Sequence, residues 1–148
     1  MIQRKQTLFL IVAFVLTLVC LSSQVASLYG NDGLEFARVY NLWLSDGQGN
    51  HSFKSVPLFV CLLLSSVTSL VSIFLYTKRK VQALMCLANM VLLLCWYVLL
   101  AVLPQSTGGM IHLLWPVVLP AVSIVFIFLA RKGVLADEKL VRSLDRIR

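Results

Sequence analysis

The stretch VQALMCLANMVLLLCWYVLLAVL, residues 81–103, decides the fold of this chain, because its 23 residues include no Asp, Glu, Lys or Arg. A helix rises about 1.5 Å per residue and the bilayer core is about 30 Å thick, so about 20 apolar residues cross it. Three further uncharged stretches lie at residues 7–29, 55–77 and 104–130. Within the last of them, we place the span at about residues 111–130. We therefore predict an all-α membrane protein with four spans.

The composition supports one membrane bundle rather than a soluble domain. The 148 residues are 59% hydrophobic and only 13% charged, which is too apolar for a soluble domain. The connections between the second, third and fourth spans are short, which favours an antiparallel four-helix transmembrane bundle. We expect a single domain over residues 1–148, with an external loop at residues 30–54 and a cytoplasmic tail at residues 131–148.

The net charge of +7 is distributed unevenly along the chain. If there are four spans, eleven of the 13 basic residues lie on one side, including Lys78, Arg79 and Lys80, and the other side keeps Arg38 and Lys54. The positive-inside rule then places both termini in the cytoplasm. Orientation and attraction to anionic lipid headgroups explain this surplus, so we expect the lipid bilayer as a partner and no nucleic acid.

The N-terminal segment has a second interpretation. Arg4 and Lys5, the apolar run at residues 8–21 and the small residues after it resemble a signal peptide, whose cleavage would leave three spans. The apolar run continues to Tyr29 with few interruptions. We therefore expect this segment to remain as the first span.

The external loop is the only external segment long enough to hold structure of its own. Residues 35–44 are rich in aromatic and β-branched residues, and residues 45–50 form a concentrated turn signal. The pattern predicts a short β-hairpin on the outer membrane surface, and an irregular loop is the alternative. An isolated hairpin is marginal in water, so it would have to pack on the bundle or on lipid.

The tail changes character at Asp137, a residue suited to a helix N-cap. Apolar residues then recur at helical spacing, and basic residues cover the other face. The pattern predicts a cytoplasmic amphipathic C-terminal helix that lies on an anionic membrane surface or docks on a partner. A frayed, solvated tail is the alternative.

Side chains that could carry catalysis are scarce. No Asp, Glu, Lys or Arg lies inside a predicted span, where membrane enzymes and ion-coupled transporters need an ionisable group. His112 falls at the outer edge of the fourth span and His51 in the loop, and both positions suit interfacial polar residues. The 4 cysteines are not spaced as metal ligands or as a redox pair. We expect a non-enzymatic protein with no catalytic residue, metal or cofactor.

The neutral polar residues of the spans form one further pattern. Counting 1.5 Å per residue places five of them about 10 to 12 Å from the cytoplasmic boundary or slightly deeper: Thr68, Ser69, Asn89, Ser123 and Thr17. We predict a polar layer centred on Asn89, because an amide in hydrocarbon strongly prefers a hydrogen-bonding partner. Such a layer would fix the register of the helices; alternatively, it would bind a ligand.

Both ends of the chain and one internal motif resemble a known family. The opening MIQRKQT at residues 1–7, the ending DEKLVRSLDRIR at residues 137–148 and the Trp-x-x-x-x-Pro arrangement at residues 115–120 are similar to an uncharacterised family of small four-span membrane proteins of Bacteroidetes, described as a domain of unknown function. The resemblance implies four spans and a bacterial cytoplasmic (inner) membrane, and it brings no activity. Lys5 departs from this pattern, in which Ile is more common.

The motifs at the two ends also suggest a contact between the termini. Arg4 enters the first span from the membrane face at which Asp145 follows the last span. We hypothesise a cytoplasmic clasp between Arg4 and Asp145. Alternatively, the arginines only set the orientation.

Two functions remain open at this point. The first is a structural or accessory membrane protein whose external loop or basic tail engages another membrane protein or a second copy of the chain. The alternative is a binder or carrier of a neutral or lipid-like small molecule, held by the polar layer around Asn89.

Overall fold

The structure, a computed structural model, describes residues 2–30, 32–46, 48, 50–75, 78–107 and 110–145, and for residues 2–4, 104–107, 142, 144 and 145 it describes the backbone alone. Its α-helices are α1 (Ile2–Ser22), α2 (Val56–Phe74), α3 (Arg79–Thr107) and α4 (Val118–Asp145). Its strands are β1 (Gln24–Tyr29), β2 (Glu35–Tyr40), β3 (Leu44–Asp46), β4 (His51–Ser52) and β5 (Met110–Leu113). Short 3₁₀ helices at Phe53–Ser55 and Trp115–Val117 lead into α2 and α4.

The four α-helices close into a bundle in which α1 and α3 each pack against both α2 and α4. Each helix contributes fully buried side chains to one core, among them Leu10, Leu62, Leu93 and Ile127. The outward faces are apolar as well, since many large aliphatic side chains on all four helices are exposed. Each helix is long and apolar enough to cross a membrane. An apolar outer surface of this kind is expected of a bundle solvated by lipid tails.

A five-stranded antiparallel sheet covers the end of the bundle at which α1 ends and α2 begins. The strand order is β4-β3-β2-β1-β5, and every pair in it is antiparallel. Val25, Leu28 and Val39 of the sheet are fully buried and belong to the same core as the helices. The predicted hairpin region therefore forms only part of the sheet, because β1 from the first apolar stretch and β5 from the fourth extend it.

The first helix is shorter than the predicted first span. α1 ends at Ser22, whereas the prediction extends to residue 29. Ser22 and Ser23 donate hydrogen bonds to carbonyl oxygens four residues earlier, and such bonds compete with the regular helix. The chain then continues as β1, in which Val25 and Leu28 are fully buried. A strand buried on the bundle is as apolar as a span, so hydropathy alone merges the two.

The fourth helix begins later and ends later than predicted. Residues 110–113 form β5, and α4 then runs without interruption from Val118 to Asp145. Asp137 is therefore not an N-cap; it lies inside α4, with 8% of its surface exposed. The predicted separate tail helix is a continuation of α4. Gly133 does not break this helix, and it allows close packing, because a Cβ there would lie 3.0 Å from Cγ of Gln6.

Candidate functional site

Asn89 forms the central polar contact between α2 and α3. Its side chain is 1% exposed. Its Oδ1 accepts a hydrogen bond from Oγ of Ser65 at 2.5 Å, and its Nδ2 donates to Oγ of Ser69 at 2.6 Å. The two serines lie one turn apart on α2, and small residues at such an interface let the helix backbones approach closely. Both polar atoms of the Asn89 amide are thus hydrogen-bonded to α2.

Ser123 connects a different pair of helices. Its side chain is fully buried on α4. Its Oγ lies 3.0 Å from the carbonyl oxygen of Leu119 in its own helix and 3.4 Å from that of Ala13 on α1. Ser123 therefore supports the α1–α4 contact, whereas Asn89 supports the α2–α3 contact.

The remaining two members of the predicted polar layer bond within their own helices. Thr17 is fully buried, and its Oγ1 donates to the carbonyl oxygen of Phe14 at 2.8 Å. Thr68 is half-buried and donates to the carbonyl oxygen of Leu64 at 2.6 Å. The structure therefore brings Ser69 and Asn89 together and distributes the other three residues over separate contacts.

Asn41, which follows β2, is a buried polar residue that the sequence analysis missed. It is fully buried, and its Nδ2 donates to the carbonyl oxygens of Cys20 at 2.7 Å and Leu21 at 3.4 Å. Its Oδ1 accepts a hydrogen bond from Nε1 of Trp96 at 3.0 Å. One amide thus joins the sheet, the last turn of α1 and the middle of α3. Asparagine in a loop is a common turn residue, so its sequence position carries no signal of burial.

A second polar contact closes the opposite end of the bundle. Nε2 of Gln6 on α1 donates to Oδ2 of Asp137 on α4 at 2.7 Å, and both residues are buried. Nη1 of Arg79 at the start of α3 lies 3.3 Å from the main-chain oxygen of Asp137. Three helices therefore meet at Asp137. The predicted clasp would join the same two helices, α1 and α4, but the side chains of Arg4 and Asp145 lie outside the described residues.

An aromatic hollow lies on the surface beside β3 and β4. Leu42, Trp43, His51 and Phe53 line it, and its volume is about 250 Å³. Phe53 is 66% exposed, and the rings of Trp43 and His51 pack edge to face with 5.9 Å between their centroids. The walls are apolar apart from one imidazole, so the hollow suits an apolar or aromatic group rather than a charged one.

The titratable side chains do not form a recognisable reaction centre. Within the described part of the chain, no group of three His, Cys, Asp or Glu side chains is placed to hold a metal ion. The thiols of Cys20, Cys61, Cys86 and Cys95 are free. Three buried groups of the described residues, Oγ of Ser55, Oγ of Ser72 and Nε of Arg131, lack a hydrogen-bond partner. The chemistry that this arrangement supports is therefore hydrogen-bonded bracing of helices and sheet.

Comparison with known proteins gives one family and no named relative. No curated protein matches the chain. A family described as a domain of unknown function matches residues 2–147, a range that includes the four described helices, the five strands and both end motifs except Met1 and Arg148. The chain therefore belongs to the family described as Domain of unknown function (DUF4293).

Proposed function

We propose that this chain is a non-enzymatic accessory protein that crosses the bacterial cytoplasmic membrane four times and engages another membrane component through its sheet. Four long apolar helices support the spans. Lys5, Arg79 and Lys132 lie towards the end of the bundle opposite the sheet, and cationic residues favour the cytoplasmic face. In this orientation both termini are cytoplasmic, and the sheet is on the outer side of the membrane.

The interior supports an architectural role rather than that of a carrier. Four buried amide side chains bond to a neighbouring element: Gln6 to α4, Asn41 to α1 and α3, Gln82 to α2, and Asn89 to α2. A ligand at Asn89 would have to displace two short hydrogen bonds, one that Asn89 accepts from Ser65 and one that it donates to Ser69. Because a buried polar group left unpaired costs about 1 to 3 kcal/mol, this exchange is unfavourable for a neutral lipid-like molecule.

The aromatic hollow is the observation that carries the docking proposal. It combines a half-exposed Trp43 with a largely exposed Phe53 around an apolar depression. Aromatic side chains dominate the energetics of protein interfaces, and an apolar pocket is the usual seat of a partner's anchoring residue. We therefore place the docking surface for a membrane-protein partner at this hollow.

Site-specific photo-crosslinking in living cells tests this docking surface. A photoreactive amino acid at position 43 or 53 should give a discrete adduct with a second protein. The same amino acid at Asp32, which is exposed at the turn between β1 and β2, should give none. Equal labelling from all three positions, or no adduct at position 43 or 53, would remove the docking proposal. A neutral lipid that co-purifies with the protein and is lost in Asn89→Leu would favour the carrier instead.

Reporter fusions test the proposed orientation separately. A reporter that is active only outside the cytoplasm should be silent when fused after Arg148 and active when inserted at position 48. A reporter active only in the cytoplasm should give the reverse result. Activity of one reporter at both positions would contradict the three spans between them and with it the proposed topology.

A further inference from the structure

β5 is a free edge of the sheet. It pairs with β1 on one side, and within the described residues no strand lies on its other side. The strand is also exposed, because Met110 and Leu113 keep 66% and 59% of their surface accessible. An edge strand presents unpaired N–H and C=O groups and is a template for pairing with another strand.

The register shows which main-chain groups of β5 point outward. The N–H of Leu114 donates to the carbonyl oxygen of Val25, and His112 lies opposite Ser27. In an antiparallel ladder, bonded and non-bonded pairs alternate along the strand. The groups of His112 therefore face β1, whereas the N–H and C=O groups of Ile111 and Leu113 point away from the sheet. Four main-chain groups are thus available at this edge.

The two edges of the sheet differ in how they are protected. β4, the opposite edge, has two residues and is followed closely by Lys54. Short length and a nearby lysine are common devices against pairing between edges. β5 has four residues, Met-Ile-His-Leu, and carries no aspartate, glutamate, lysine or arginine. Trp115, just beyond it, is 68% exposed. This edge therefore lacks the usual protection.

We propose that β5 pairs in antiparallel fashion with β5 of a second copy of this chain, centred on His112, so that the two sheets become one. The inference rests on the proposed function, because two copies inserted in the same orientation hold their β5 edges at the same depth. A two-fold axis along the membrane normal then relates the two edges. Ile111 of each copy lies opposite Leu113 of the other, and this register pairs all four outward groups of both strands.

The charge distribution permits this approach. The side of the bundle that carries the sheet holds Arg38 and Lys54 against Asp32, Glu35 and Asp46, so it is close to neutral. Among the described residues, the remaining basic ones lie in the first turns of α1, before and at the start of α3, and in the middle and second half of α4. The net charge of +7 therefore does not cause electrostatic repulsion between the sheets of two copies.

A charge-complementation experiment tests the register. In the proposed dimer His112 lies directly opposite its own copy in a non-bonded pair, with Cα atoms about 4.5 Å apart, where like charges repel. The full chain, carrying either of two affinity tags, is purified in mild detergent and in lipid nanodiscs. The wild type should have the mass of a dimer. His112→Lys and His112→Glu, each expressed alone, should associate about tenfold more weakly or worse.

Co-expression of the two variants provides the decisive result. A His112→Lys chain with one tag should co-purify with a His112→Glu chain that carries the other tag. Two differently tagged His112→Lys chains should not co-purify. Restoration in the mixed pair also shows that both variants fold. His51→Lys and His51→Glu are the matched controls, because His51 is an exposed histidine on the opposite edge strand. Both should remain dimeric.

Several outcomes would overturn the inference. One is a wild-type protein that is monomeric, whether it binds another protein through β5 or binds lipid only. The others are a mixed pair of His112 variants that does not co-purify and a loss of the dimer in the His51 variants. The proposed function is judged separately. A monomer that still gives the adduct at position 43 would retain the docking function and exclude the dimer. A dimer without that adduct would support the dimer alone.

Discussion

Asn41 and Asn89 are both buried asparagines that connect separate elements, but they differ in their partners. Asn89 bonds to two serine hydroxyls on the neighbouring helix. Asn41 bonds to carbonyl oxygens at the end of α1 and to the indole N–H of Trp96. A serine hydroxyl in a helix has a second acceptor in its own backbone, whereas a buried indole N–H depends on the one partner that it has.

The contribution of a buried amide to stability depends on whether its partners can form other hydrogen bonds when the amide is removed. Without Asn89, Ser65 and Ser69 can turn to their own helix carbonyls. Without Asn41, the N–H of Trp96 remains buried and unpaired, and the carbonyl oxygen of Cys20 keeps only the N–H of Ser23 at 3.2 Å. The net value of a hydrogen bond is modest, but a stranded polar group costs its full desolvation. We therefore expect the loss of Asn41 to destabilise the protein more than the loss of Asn89.

The largest effect is expected for Asn41→Leu. This change leaves the indole N–H of Trp96 without a partner and removes one of the two hydrogen bonds to the carbonyl oxygen of Cys20, and it should lower the free energy of unfolding by about 3 kcal/mol. Unfolding in mixed micelles of mild detergent and dodecyl sulfate measures the difference. Asn50→Leu, at an exposed loop position, should change stability by less than about 0.5 kcal/mol. Equal losses in the two variants would contradict the bracing role of Asn41.

Trp96→Phe should come next. It keeps an aromatic ring in the core but removes the donor to Oδ1 of Asn41, so we expect a loss of about 1 to 2 kcal/mol. Thermal unfolding followed by circular dichroism measures it, because the change also removes a fluorophore. In the double variant with Asn41→Leu, the loss should be smaller than the sum of the single losses. Additive losses would show that the two side chains act independently.

Asn89→Leu measures the contribution of the second asparagine to stability. Ser65 and Ser69 can bond within α2, as Ser66 does with the carbonyl oxygen of Leu63 at 2.8 Å. We expect a loss of about 1 kcal/mol, the usual size for interhelical hydrogen bonds in membranes. The same micelle titration measures it. A loss larger than that of Asn41→Leu would reverse the ranking and reject its physical reason.

The smallest effect, and one whose sign depends on context, is expected for Gly133→Ala. Alanine favours a helix by about 1 kcal/mol over glycine, but its Cβ would lie 3.0 Å from Cγ of Gln6 and 3.2 Å from Nε2. In the wild type the two effects should nearly cancel, or the displaced Gln6–Asp137 bond should dominate. In a Gln6→Ala background, Gly133→Ala should stabilise the protein. The same sign in both backgrounds would show that Gln6 does not restrict this position.

Hydropathy predicted the helical part of the fold well. The four long apolar helices are confirmed, and the predicted hairpin region is part of a larger, five-stranded antiparallel sheet. α2 lies within the predicted second span, and α3 extends the third at both ends. The strands β1 and β5 were hidden because each is continuous with an apolar stretch in the sequence. Hydropathy reports burial from water, and it does not distinguish burial in lipid from burial under a sheet.

The polar contacts were predicted unevenly, for the same reason. Asn89 is conspicuous because an amide stands out among apolar residues, whereas Asn41 lies in a polar loop where nothing marks it as buried. Asp137 was interpreted as a helix start because it follows the last apolar stretch, but its carboxylate accepts a hydrogen bond from Gln6 inside a continuous helix. A role of the Asn89 layer in ligand binding stays a prediction.

The order of the strands has a consequence for biosynthesis. β5 is made after α3, so the growing chain has β2 to pair with β1 on one side and nothing on the other until residue 113 has been synthesised. Slightly more than three quarters of the chain must therefore be synthesised before β1 is paired on both sides. A membrane quality-control protease would accordingly find β1 uncovered in every chain that ends before β5.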